Sequence, residues 1–109
     1  MKIFNTLSGK KEVFEPIEDN KIRMYVCGMT VYDDTHIGHA RTFLSFDLIV
    51  RYLRSIDYEV QYIRNITDVD DKIIARAEEL NITPSELTKD CIDSMEKDFH
   101  SLGMIRPDA

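Results

Sequence analysis

Apolar residues follow two different periods along this chain. From Ile22 to Cys27 they alternate, with Ile22, Met24 and Val26 on one side and Arg23, Tyr25 and Cys27 on the other. That is the period of a β-strand. Further on, Phe43, Phe46, Leu48, Ile49, Val50, Tyr52 and Leu53 form a broad stripe at helical spacing, so a helix is expected from about Ile37 to Ser55. The segment Tyr58 to Ile66 returns to alternation. Tyr58, Val60, Tyr62 and Arg64 face one way and Glu59, Gln61, Ile63 and Asn65 the other, which predicts a second strand. Strand, long helix, strand is the βαβ unit of a parallel sheet, with a right-handed crossover expected.

The flanking segments read as follows. Lys2 to Leu7 is a short strand candidate, Ser8 to Lys11 a turn around Gly9, and Glu12 to Phe14 a second short strand. Pro16 to Lys21 is polar connection and Gly28 to Thr35 is loop. A helix is expected from Asp70 or Asp71 to Leu80, its acids matching the positive end of the dipole. The next helix has the clearest start in the chain. Thr83 is its N-cap, Pro84 sits at N1, and Glu86 at N3 completes a capping box. Ile92, Met95, Phe99 and Leu102 give its apolar stripe, with Gly103 as terminator. Cys91 falls in the same pattern and reads as a small core residue. No repeat or low-complexity segment interrupts the chain.

At 109 residues the chain is one domain or part of one. Hydrophobic residues make up 43% and charged residues 31%, which fits a globular chain and not a disordered one. No apolar run reaches the roughly 18 residues needed to span a bilayer, and Met1 to Lys11 lacks a signal-peptide core. No membrane role is expected, and a cytoplasmic location is the default. Two cysteines, Cys27 and Cys91, do not suggest a disulfide framework. The net charge is −6, all of it in residues 65–109, which carry eleven acids against five Lys/Arg. That acidic part is a poor surface for nucleic acid phosphates.

The candidate chemistry centres on His36-Ile37-Gly38-His39. It falls at the predicted strand-to-helix junction, where backbone N–H groups are unpaired and the dipole favours an anion. Gly38 would let a flat ring approach the backbone closely, and both imidazoles could donate to phosphate oxygens. The phosphate-cradling loop of P-loop enzymes is absent. The plainer alternative is one histidine capping the helix and the other packing on its first turn. Cys27, at the end of the first strand, could be a packed cysteine or lie in the ligand crevice beyond the strand ends. Asn65, Thr67 and Asp68 end the second strand. Asp68, Asp70 and Asp71 suit helix capping better than a metal cluster. Arg41 and Arg64 could contact anions, but solvated surface is the preferred role for each. His100 reads as helix surface.

The stretch from Met24 to Phe43, with Cys27-Gly28 and His36-Ile37-Gly38-His39 inside it, resembles the first signature of class I aminoacyl-tRNA synthetases, and specifically of cysteinyl-tRNA synthetases. Tyr62 to Ile73 and the opening Ile3 to Leu7 agree in the same order. The resemblance implies an α/β fold. Residues 1–109 would form the N-terminal half of a Rossmann-like class I synthetase nucleotide-binding domain, a parallel βαβ plus following helices. It further implies that His36 and His39 are catalytic, and that Thr30, His36, Gly38 and His39 bind ATP, which carries Mg2+. Thr30 to Thr35 would line the same crevice. Cys27, Gly28 and Thr67 would hold the substrate cysteine. Cys27 would be one of four zinc ligands, the other three lying outside this sequence. L-Cysteine, ATP and tRNA(Cys) are then the expected partners of the full-length enzyme, which is expected to be monomeric. The 109 residues alone are expected to be inactive. Two alternatives remain open at this point. One is the related ligase that joins cysteine to glucosaminyl inositol. The other is a non-catalytic half-domain that binds nucleotide or a partner protein.

Overall fold

The computed structural model describes all residues, Met1 to Ala109. A hairpin of β1 (Lys2–Asn5) and β2 (Lys10–Val13) precedes β3 (Lys21–Val26). Then come α1 (Ile37–Ser55), β4 (Glu59–Arg64), α2 (Asp71–Leu80) and α3 (Pro84–Ser101). β3 and β4 pair in parallel, from Lys21 opposite Glu59 to Val26 opposite Arg64. The expected βαβ unit is therefore present, with α1 as its crossover.

Alternation decides the faces. Ile22, Val26, Val60 and Tyr62 point into one cluster of 15 buried residues. Met29 and Val31 of the loop after β3, Phe43, Val50 and Leu53 of α1, Ile73 and Ala77 of α2, and Leu87, Cys91, Met95 and Phe99 of α3 complete it. Arg23, Tyr25 and Cys27 face the other way and are exposed. All three helices thus contribute to the core on one side of the sheet.

The helix ends match their chemistry. Thr83 and Glu86 form the reciprocal capping box, at 3.2 Å and 2.9 Å. Gly103 ends α3 with φ +67°, and the Met104 N–H returns to the Phe99 carbonyl at 3.1 Å. Asp70 caps α2 through the Lys72 N–H at 2.9 Å, and Asn81 closes it in the left-handed region.

Some boundaries differ from the sequence reading. β1 stops at Asn5 because the Asn5 side chain accepts from the Leu7 N–H at 3.0 Å and starts the turn early. β2 accordingly begins at Lys10, inside the segment read as turn. The loop from Gly28 to Thr35 is not uniformly open, since Met29 and Val31 are buried, Val31 completely.

The residues after α3 run back over the core. The Ile105 N–H donates to the buried Asp47 carboxylate at 2.7 Å. Asp47 also accepts from Arg51 at 2.6 Å, and Arg51 in turn donates to the Gly103 carbonyl at 2.8 Å. Asp108 and Ala109 then bond along the outer edge of β4, to the Tyr62 carbonyl at 2.7 Å and the Arg64 N–H at 3.0 Å.

Candidate active site at the strand ends

Just past the ends of β3 and β4 the register slips by one residue. Val26 is opposite Arg64, but the next bridge joins Thr30 to Thr67. The extra residue lies on the β3 side, and Gly28 sits where the two backbones cross. A Cβ built on Gly28 would lie 1.7 Å from the Asn65 carbonyl oxygen. Only glycine permits that approach. The Gly28 N–H donates to the Asn65 side-chain oxygen at 2.7 Å, and the Asn65 amide reaches the Thr67 hydroxyl at 3.4 Å. Asn65 is therefore the clamp between Gly28 and Thr67. Sequence reasoning placed it only as a strand end. The signal available was a short amide side chain beside a strand-end glycine.

Pairing resumes beyond the crossing. The Val31 N–H meets the Thr67 carbonyl and the Thr67 N–H meets the Met29 carbonyl, both at 3.2 Å. Thr30 is thus held opposite Thr67, half-buried. Cys27, Gly28, Thr30 and Thr67 converge at the carboxyl end of the sheet, where ligands of open α/β folds bind. Val31 belongs to the core, so the crevice lining expected of Thr30 to Thr35 fails at that residue.

His36 is the N-cap of α1. Its Nδ1 accepts from the Gly38 N–H at 3.0 Å. His39 reciprocates, its Nδ1 accepting from the His36 N–H at 3.3 Å. The two rings stack with centroids 3.9 Å apart and planes inclined by 28°. This is a capping box built from imidazoles. A nitrogen that accepts cannot carry the proton, so the neutral form of each ring is Nε2–H. Both rings then keep a donor that the cap does not use. Burial, together with the neighbouring His36, lowers the pKa of His39 below the ordinary histidine value. Neutral imidazole is favoured there.

Gly38 has a specific reason to be glycine. A Cβ there would meet His36 Cε1 at 2.8 Å and Nδ1 at 2.9 Å. The missing side chain makes room for the capping ring. The cap by itself accounts for a glycine at this position.

Cys27 is a free, exposed thiol. Its nearest polar partner is the Gly28 carbonyl at 3.6 Å, so it is not a packed core cysteine. No group of three or more His, Cys, Asp or Glu in the chain could hold a metal ion. Cys27 and its neighbours do not make a metal site by themselves. The acids Asp68, Asp70 and Asp71 form no metal cluster either. Cys91 is buried in α3 as expected, and burial raises its thiol pKa.

Arg64 departs from its expected solvated role. It lies on the core face of β4, half-buried, with its guanidinium 5.1 Å from the Phe43 ring and 4.9 Å from the Phe99 ring. The alternation that puts Val60 and Tyr62 inside puts Arg64 there too, and the aromatic faces receive its charge. Arg41 and His100 are exposed, as expected. An open cleft of about 480 Å³ lies elsewhere. Lys21 and Glu59, the first residues of β3 and β4, line it with Glu18, Arg23 and Asp108. That is the amino end of the strands, opposite the cluster of candidate residues.

The model of the catalytic domain described as "tRNA synthetases class I (C)" matches residues 13–109. The chain belongs to this class I synthetase family. Among its curated relatives is the cysteine–tRNA ligase of Haemophilus influenzae (strain PittGG), 58% identical over 108 residues, which are 99% of this chain and 24% of that protein. The cysteine–tRNA ligase of Actinobacillus succinogenes is 59% identical over 109 residues, the whole of this chain and 24% of the relative. That of Desulfotalea psychrophila is 56% identical over 108 residues and 22% of its length. The chain spans about a quarter of the length of these relatives. Membership in the synthetase family accounts for the Rossmann-like parallel unit. No helix is long and apolar enough to cross a membrane.

Proposed function

We propose that this chain supplies the ATP-phosphate and cysteine sides of an adenylation site, within a protein of the relatives' length that activates L-cysteine and transfers it to tRNA(Cys). The observation that carries the reading is the imidazole cap. It spends both Nδ1 atoms on the helix start and leaves two Nε2–H donors at the positive end of α1. ATP, with Mg2+, would lie against this end. The cysteine carboxylate attacks the α-phosphorus and pyrophosphate leaves. The transition state gains negative charge on phosphate oxygens, and the fixed donors stabilise it without a covalent nucleophile. Depressed basicity keeps His39 a neutral donor instead of a proton acceptor.

The crossing of Gly28 and Asn65 fixes the spacing of Cys27 from Thr67, the residues read as flanking the amino acid. Zinc, completed by ligands outside these residues, would offer Cys27 and a substrate thiolate soft coordination that a serine hydroxyl fills poorly. Action in the cytoplasm follows from that function.

A chimera provides the test. These 109 residues replace the matching segment of the Haemophilus influenzae ligase. Cysteine-dependent ATP–pyrophosphate exchange and charging of tRNA(Cys) are expected. His36→Ala and His39→Ala should each lower kcat by about 10²–10³-fold, the size found when one transition-state donor is removed. Cys27→Ser should instead lose zinc and weaken cysteine binding. A folded chimera with no exchange overturns the proposal.

A further inference from the structure

Ser94 and Asp98 lie one turn apart on α3, along the flank of its buried residues Cys91, Met95 and Phe99. Both reach the loop ahead of α1. The Ser94 hydroxyl donates to Asp34 Oδ1 at 3.3 Å, and the Thr35 hydroxyl donates to Asp98 Oδ2. These two rungs join positions 60 and 63 residues apart, and they end on consecutive loop residues. The next residue is the N-cap, His36.

The loop has little else to hold it. No backbone–backbone hydrogen bond involves residues 32–35. Between the Val31–Thr67 bond and the first turn of α1, its ties to other elements are these rungs from α3 and the Lys72 ammonium of α2, 5.7 Å from the centroid of the Tyr32 ring. Thr35, His36, Asp98 and Phe99 also line one open groove of about 290 Å³. Asp98 is exposed and contributes nothing to the core. α3 is fastened independently by its capping box and buried stripe.

We propose that Asp98 is a positioning residue. Acting through Thr35, it holds the backbone at His36 in the extended conformation in which the ring can cap α1 and stack on His39. α3 is then a brace for the imidazole pair. Ser94 adds a second rung through Asp34. The kinetic consequence rests on the adenylation reading above, whereas the structural consequence does not.

Two readouts test this. In the chimera, Asp98→Leu and Thr35→Val should each lower kcat for ATP–pyrophosphate exchange about tenfold, the scale of one hydrogen bond to a charged acceptor. KM for cysteine should be unchanged. The double variant should fall no further, because both changes remove one link. Asp98→Asn keeps an acceptor for the Thr35 hydroxyl and should retain most of the activity. In the 109-residue chain, imidazole ¹⁵N spectra should show His36 and His39 as Nε2–H tautomers. Asp98→Leu should give mixed tautomers, and Asp98→Asn should not. Unchanged imidazole spectra in a folded Asp98→Leu chain, or additive kinetic losses in the double variant, overturn the proposal. If the parent chimera shows no exchange but Asp98→Leu still mixes the tautomers, the adenylation reading falls and the brace stands.

Discussion

Replacing Gly28 with alanine adds one methyl group where two backbones cross. The new Cβ would lie 1.7 Å from the Asn65 carbonyl oxygen and 2.8 Å from its carbon. An ordinary carbon–oxygen contact is about 3.3 Å, so the strand ends must part by roughly 1.6 Å. Overpacking of this kind costs about 1–3 kcal/mol. Parting the strands also breaks the bond from the Gly28 N–H to Asn65, worth about 0.5–1.5 kcal/mol. A less flexible unfolded chain returns about 0.4–1 kcal/mol. The net loss is near 2–3 kcal/mol, against a total of about 5–15 for a domain of this size. A melt followed by far-UV circular dichroism should therefore drop by roughly 10–20 °C. Gly9→Ala is the control. Gly9 has open space around its Cβ position and a φ of +67°, so the backbone cost of about 1–2 kcal/mol applies, reduced by the same return from the unfolded chain. If Gly28→Ala melts no lower than Gly9→Ala, the close crossing is not a constraint and the argument fails.

Three further outcomes are expected. The lowered pKa of His39 means that the unfolded chain takes up the proton more readily than the folded one. Its contribution to stability should be complete above about pH 6.5 and vanish as pH falls through the folded value. The pH slope of the melting temperature on the acid side should accordingly shrink in His39→Gln. Asp47→Ala leaves the Ile105 N–H without its acceptor and Arg51 without its carboxylate, so a loss of about 2–4 kcal/mol in urea titration is expected. Arg64→Met keeps the bulk between Phe43 and Phe99 but removes the charge over both rings. It should cost about 1–2 kcal/mol, and equal stability of the two chains would rule the cation–π account out.

How far the sequence could be read depended on the range of the interaction. Where local periodicity and caps decided the outcome, the reading held. α1 covers the predicted Ile37 to Ser55, and the Thr83–Glu86 box begins α3 as expected. The parallel pairing of β3 with β4 also followed from strand, helix, strand. Contacts between segments remote in the chain were not legible. The register slip between Val26–Arg64 and Thr30–Thr67 arises from a backbone crossing, which leaves only a glycine as its trace. Arg64 was read by its charge, although its place in the alternation with Val60 and Tyr62 pointed inward. The burial of Val31 and the rungs from Ser94 and Asp98 depend on how α2 and α3 return to the loop before α1, which no periodicity encodes.

The histidine pair shows why two readings of one motif need not compete. Capping and ligand binding both looked available for His36 and His39, as though one excluded the other. An imidazole has two nitrogens on opposite sides of the ring, and the cap takes only Nδ1 of each. That use assigns the proton to Nε2 in the neutral ring and turns the remaining nitrogen into a donor of fixed direction. Gly38 belongs to the same device, because any side chain there would push the His36 ring from its cap. A Gly38→Ala chain should therefore lose the Nε2–H tautomer signals of His36 while its helix content stays nearly unchanged, since α1 has its own buried stripe from Phe43 to Leu53. If the tautomer survives in that variant, the ring is not held by the cap, and its free donor would have to be explained by something other than the start of α1.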